Sequence, residues 1–224
     1  MKAGIIATIF LGLTDMLAAA TLVVDPAGGG DFTEIQPAID AAAAGDEVLV
    51  RPGEYVITEP IDFNRLHDPA DPASPPVKDI ALRSEAGAEE TVIRMADSPT
   101  DRDRASVVVF ESGETEASVL EGFTISGGKG TGESDNRYGG GVCCSTSSSP
   151  SLTNCTISGN SAWYGGGVYC EDSSPTLTKC TISGNSARES GGGVCGGSSS
   201  ARKSCANGGS SAPGGGGVTA GLST

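Results

Sequence analysis

The residues with chemistry to offer fall in one recurring corner and in a few loops. Tyr138 and Tyr164 each directly precede a run of three glycines, with Trp163 beside the second and Arg137 and Arg188 close by in the same corner. Aromatic faces and guanidinium groups together suit sugar rings and carboxylates. Tyr138, Trp163, Tyr164, Arg137 and Arg188 are therefore the expected carbohydrate-binding residues. Asp97, Asp101 and Asp103 offer the hard oxygen ligands that calcium takes. Arg102 and Arg104 alternate with them, the pattern of a solvated loop, so no cofactor is expected and calcium is the one cation these residues would suit. The sole histidine, His67, lies among prolines and reads as a surface residue.

All seven cysteines follow residue 140. None forms a CxxC pair, which argues against zinc. Disulfides between neighbouring rungs and stacked buried thiols both remain open, and the reading adopted is of reduced or partly paired core cysteines.

Such residues need a scaffold that repeats. GGGVCCSTSSSPSLTNCTISGNSAWY opens at Gly139, and GGGVYCEDSSPTLTKCTISGNSARES, of the same length, opens at Gly165 directly behind it. A third copy opens at Gly191 and decays. A period near 25 marks a stacked solenoid. Val168 and Cys170 share one parity, Leu177 stands on a second short run, and Cys180 and Ile182 share parity on a third. Three short strands per turn, apolar side inward, make a parallel β-helix. Stacking predicts a Val ladder (Val142, Val168, Val194), Cys ladders (Cys144, Cys170, Cys195 and Cys155, Cys180, Cys205) and an Asn ladder (Asn160, Asn185). Phe123 replaces Cys155 one coil earlier, Val107 to Phe110 opens that coil, and Val48 to Phe63 supplies the earliest one, for about six coils.

Residues 22–25 read as a strand, and Ile35, Ala38, Ile39 and Ala42 line one face of a short helix. Thr33 with Gln36 matches a capping box. This unit, 21–47, is expected to cap the open end of the solenoid over 48–195. Lys2, the apolar run Gly4 to Leu13 and Ala18-Ala19-Ala20 read as a signal peptide over 1–20, too short to span a bilayer. The mature chain is then secreted or at the cell surface, with no transmembrane segment. Residues 196–224 form a low-complexity or degenerate tail. Cys205 keeps its spacing there while residue identity scrambles, as after a late frameshift or in a decayed last coil.

Composition agrees. Thirty-four glycines and 4% aromatics in 224 residues leave little volume for a conventional sandwich. The net charge of −14 argues against nucleic acid and anionic membranes. The charge is uneven: residues 21–136 hold 24 acids against 8 bases.

DFTEIQPAIDAAAAGDEVLVRPGEY resembles the N-terminal cap of pectin-lyase-like right-handed parallel β-helix proteins. SSPTLTKCTISGN and GGGVYC resemble the repeats of secreted bacterial β-helix proteins and partly match those of polymorphic outer-membrane proteins. The resemblance implies an all-β right-handed parallel β-helix with a short N-terminal capping helix. It also brings in the polysaccharide lyases, glycoside hydrolases and carbohydrate esterases of that group. Hydrolases of this fold need clustered aspartates, and no Asp-Asp or Asn-Thr-Asp run falls on an expected strand. The expectation is thus a secreted noncatalytic module that binds a polysaccharide or cell-surface glycan. A polysaccharide lyase or hydrolase, and a purely structural repeat protein, are the alternatives.

Overall fold

Short strands whose alternate residues are apolar can each bury only one side. Stacking them rung on rung in three walls buries all of those sides against one another. The computed structural model describes residues 18–68, 70–133 and 136–197 and the backbone of 204–206, and there the chain coils in this way. Sheet A runs through Thr21–Val24, Glu47–Val50, Ala81–Ser84, Val119–Glu121, Ser151–Thr153 and Thr176–Thr178. Sheet B runs through Gly53–Ile57, Thr91–Met95, Thr124–Ser126, Thr156–Ser158 and Thr181–Ser183. Sheet C holds Ile61–Asp62, Val108–Phe110, Val142–Cys144, Val168–Glu171 and Val194–Gly197, all parallel.

Register turns the sequence repeats into interior columns. Leu82, Leu120, Leu152 and Leu177 stack in sheet A, and Ile93, Ile125, Ile157 and Ile182 in sheet B. Val108, Val142, Val168 and Val194 make the expected Val ladder. Beside it the filling changes along the axis. Phe63 and Phe110 pack with ring centroids 4.5 Å apart; Phe110 is then in register with Cys144, Cys144 with Cys170, and Cys170 with Gly196.

Four expectations need correction. Ile61–Asp62 pairs with Val108–Phe110, so it belongs to the same sheet as that strand and opens the next turn rather than closing its own. Cys195 is in register with Tyr169, not Cys170, because the third copy lacks one residue between its Val and its Cys. Cys195 is disulfide-bonded. Cys205 does not continue the Cys155–Cys180 column: Ser204–Ala206 lies antiparallel on Val194–Gly197, with Cys205 opposite Cys195. The helix spans Ile35–Ala41 behind Glu34, with no side-chain cap. Gln36 instead uses its amide on the sheet edge, donating to the Asp62 carbonyl (2.8 Å) and accepting from the Asp62 N–H (2.9 Å). The other helix end is closed by Lys78, whose ammonium donates to the carbonyls of Ile39 and Ala42 at 2.6 and 2.7 Å.

Cys143, Cys144, Cys155, Cys170 and Cys180 are free thiols. The hydrogen bond to Cys170, with burial, holds Cys144 well above the ordinary thiol range, and Cys180 does the same for Cys155.

Two kinds of corner make the turns possible. Gly139 and Gly165 have φ of 58° and 61°. A Cβ on Gly140 or Gly166 would sit 2.4 or 2.1 Å from a carbonyl oxygen of the next rung, so only glycine lets the backbones approach. Between sheets A and B the corner residues are Gly122, Asn154 and Lys179, all at positive φ, although Lys gains nothing there.

Candidate functional site

Between sheets B and C the chain leaves the coil and adds a ribbon outside it. Two buried asparagines hold the point of departure. Asn160 accepts from the Gly128 N–H (2.9 Å) and donates to the Ile125 carbonyl and to Asn185 Oδ1 (3.0 Å each). Asn185 donates in turn to the Ile157 carbonyl at 2.8 Å. The expected Asn ladder is thus present, and its bonds fix where the ribbon begins. Ser161–Tyr164 then pairs with Ser186–Ser190, and Tyr138 joins by an isolated bridge to Tyr164.

That ribbon sets the aromatic geometry. The rings of Tyr138 and Tyr164 stack at 5.5 Å and 17°, as their shared place in the repeat implies. Tyr138 also packs on Tyr169 at 4.6 Å. Tyr169 escaped the sequence reading; its signal was the outward parity of the Tyr in GGGVYC, on the same side of sheet C as the ribbon. Burial raises the phenol pKa of Tyr138 and of Tyr169, so both keep their proton for hydrogen bonding.

The five expected residues do not make one platform. Consecutive residues of a strand face opposite ways, so Trp163 and Tyr164 share the ribbon but not a face. Arg188 lies 4.2 Å over the Trp163 ring, where a register shift sets two residues of one strand against one of the other. Arg137 reaches Asp103 at 3.6 Å, and its backbone carbonyl accepts from the N–H groups of Trp163 and Tyr164. Its Nε is the one buried side-chain polar atom without a hydrogen-bond partner among the described residues.

A second feature lies at the other end of sheet C. A groove of about 440 Å³ is lined by Asp62, Arg104, Glu111 and His67 among others. Asp62 faces outward on the edge strand yet is only 5% exposed. Arg104 Nη2 donates to Asp62 Oδ2 at 3.3 Å and to Glu111 Oε1 at 2.7 Å. Burial pushes the Asp62 carboxyl up to about 6, against the hydrogen bond from the Asn64 N–H and the charge of Arg104. Just behind, Glu114 is fully hydrogen-bonded by Asn64, the Ser112 N–H and Ser148. No run of aspartates announced this cluster, because Asp62 and Glu111 are distant in sequence and meet only through strand pairing.

The remaining candidates separate. Asp101 lines the groove and Asp103 pairs with Arg137, while Lys129 donates to the backbone carbonyl of Asp97. Among the described residues no group of three or more His, Cys, Asp or Glu side chains is placed to hold a metal, so Asp97, Asp101 and Asp103 do not converge on one point. His67 is not a bare surface residue: its Nδ1 lies 2.8 Å from the Pro75 carbonyl. A carbonyl can only accept, so Nδ1 is the donor in this contact.

A family model described as a right-handed beta helix region matches residues 103–211. With the parallel sheets, it makes the chain an all-β, right-handed parallel β-helix repeat protein. No curated protein and no solved structure matches the chain. Among the described residues no helix is long and apolar enough to cross a membrane.

Proposed function

We propose that this β-helix is an exported module of the pectin-lyase-like type that binds a polysaccharide or cell-surface glycan through the ribbon outside sheet C. The observation that carries the reading is the stack of Tyr138 on Tyr164, set by register on successive rungs at 5.5 Å. A solenoid that repeats an aromatic ring along its axis suits a ligand that itself repeats. Half-buried aromatic rings of this kind combine apolar contact area with a polar tip, the two features that a sugar ring meets. Trp163, with the Arg188 guanidinium over its ring, gives the ribbon a second aromatic group.

Export is supported by the apolar run Gly4 to Leu13 followed by Ala18 to Ala20, which lies mostly outside the described residues. The disulfide at Cys195 also suits an oxidising compartment. The binding reading stands whether or not the bound glycan is cut.

Electrophoresis through gels containing soluble polysaccharides tests it. The parent chain is expected to be retarded by at least one glycan, and Trp163→Ala with Tyr164→Ala to run as in a blank gel. Equal retardation of the double variant, or none of the parent, would overturn the reading.

A further inference from the structure

Sheet A begins one rung ahead of the other two. Thr21–Val24 lies on Glu47–Val50 as an added first strand. The chain then turns at Pro26, whose ring would lie 3.4 Å from a Cβ on Gly53. It comes straight back, so that the Phe32 carbonyl accepts from the Asp25 N–H at 2.9 Å, and the rung never continues into sheet B. In sheet C the same level is filled by the Gln36 amide, which makes on Asp62 both bonds that a neighbouring strand would make. In sheet B the strand Gly53–Ile57 ends the sheet, and its outer edge carries no strand among the described residues.

That edge is open in its chemistry as well as its position. The Gly53 N–H donates to the Glu90 carbonyl and the Ile57 carbonyl accepts from the Ala96 N–H, so the odd-numbered residues turn their backbone groups toward Thr91–Met95. Backbone direction alternates along a strand, and the N–H and C=O groups of Glu54 and Val56 therefore point the other way. They face a groove of about 410 Å³ between this edge and the first turn of the cap helix. Thr33, Glu34 and Pro37 form the far wall, and all three are exposed, as are Glu54, Val56 and Glu59 on the near side. Val56, at 51%, is one of two large apolar side chains that the described residues leave in solvent. An uncovered edge of this kind is a template for another chain.

We propose that this edge is a docking site for an extended peptide of alternating basic and apolar residues, which adds to sheet B as its missing first strand. A row of backbone donors and acceptors at strand spacing is matched by another peptide backbone. The side chains set the composition of that peptide. Tyr55 and Ile57 face inward on the edge strand, and Glu54 and Val56 face outward. Inward residues of an added strand would lie over Ile57 and against Ile35 and Pro37, an apolar setting. Outward residues would stand beside Glu54. Three carboxylates, Glu34, Glu54 and Glu59, line the groove against one cation, Arg65, whose guanidinium Asp40 already holds. Arg94 reaches Glu54 from the next rung at 2.6 Å, so Glu34 and Glu59 carry the charge that a basic partner would meet.

The test uses the full chain and a labelled seven-residue peptide of alternating lysine and valine, acetylated and amidated at its ends. Fluorescence anisotropy follows binding, and hydrogen exchange locates it. Two control peptides separate the edge from plain attraction to an acidic protein. One has glutamate for each lysine, and the other keeps every side chain but is N-methylated throughout, so that it cannot form a ladder. The parent is expected to bind the first peptide and neither control. The Glu54 and Val56 amides should exchange freely in the chain alone and slow when the peptide binds. Val56→Pro removes an outward N–H and spares the ladder to Thr91–Met95, and should weaken binding about 10-fold. Glu34→Gln with Glu59→Gln should weaken it about 3-fold, a difference that strong salt removes. If Val56→Pro loosens the first rung, exchange at Glu54 and Val56 in the parent still decides. No binding of the first peptide, equal binding of the N-methylated control, equal binding by Val56→Pro, or no slowing at Glu54 and Val56 overturns the site. Amides at Glu54 and Val56 that are already protected without peptide also overturn it, because another part of the chain then fills the edge.

Discussion

The two halves of the solenoid fill the same interior with different material. In the N-terminal half Phe63 and Phe110 stack beside the Val ladder, and Phe123 plugs the next corner. In the C-terminal half the same two columns hold Cys144 and Cys170, then Gly196, and Cys155 and Cys180. The N-terminal turns vary in length and carry the long insertions, whereas the C-terminal turns keep a nearly constant spacing. Variable turns let residues far apart in sequence meet, as Asp62 and Glu111 do. Fixed turns bring like residues onto like, as with Tyr138 and Tyr164. The first arrangement brings unlike groups together and the second repeats like ones along the axis.

Substitutions in shared columns sharpen this contrast. Phe110→Ala should cost about 3–5 kcal/mol in denaturant unfolding, because a ring-sized void opens between Phe63 and Cys144. Cys170→Ala, two rungs on in the same column, should cost about 1 kcal/mol. Equal losses would mean that the two halves are filled equally well and that the taper has no energetic meaning.

Asn185→Ala tests the regular half. It removes the acceptor for the Asn160 backbone N–H and amide, both at 3.0 Å. Leaving those buried donors unmatched should cost about 2 kcal/mol. Hydrogen exchange should show the Asn160 amide opening before the Leu and Ile columns. Protection that stays uniform would argue against the ladder as the anchor of the ribbon.

The smallest effect is expected at the corner where Gly122, Asn154 and Lys179 share positive φ. Lys179→Gly should gain about 1 kcal/mol by relieving the left-handed backbone, offset in part by the freer unfolded chain. A loss there would show that the Lys179 side chain contributes more than its backbone costs.

How much of this was legible follows the same division. The repeats announced the three sheets, the Val and Asn ladders and the tyrosine stack, because a fixed spacing and a parity of two determine which residues touch. The offset of Cys195 was written in the missing residue of GGGVC, yet its consequence needed the strand pairing to become visible. Gln36 was misread because a helix-start pattern carries no information about an edge strand that follows a full turn later. The Asp62–Arg104–Glu111 cluster had no local pattern at all, since each member comes from a different element. Trp163 and Tyr164 were grouped by their adjacency in sequence, whereas the structure gives Trp163 to Arg188 and Tyr164 to Tyr138.

The central claim is that the repeated half of the solenoid binds a glycan through its outer ribbon. It is tested most directly by measuring glycan retention on folded samples of the parent and of Trp163→Ala with Tyr164→Ala. The account predicts that the parent is retained by at least one glycan and that the double variant is not. Equal retention of the two, or none of the parent, would contradict it.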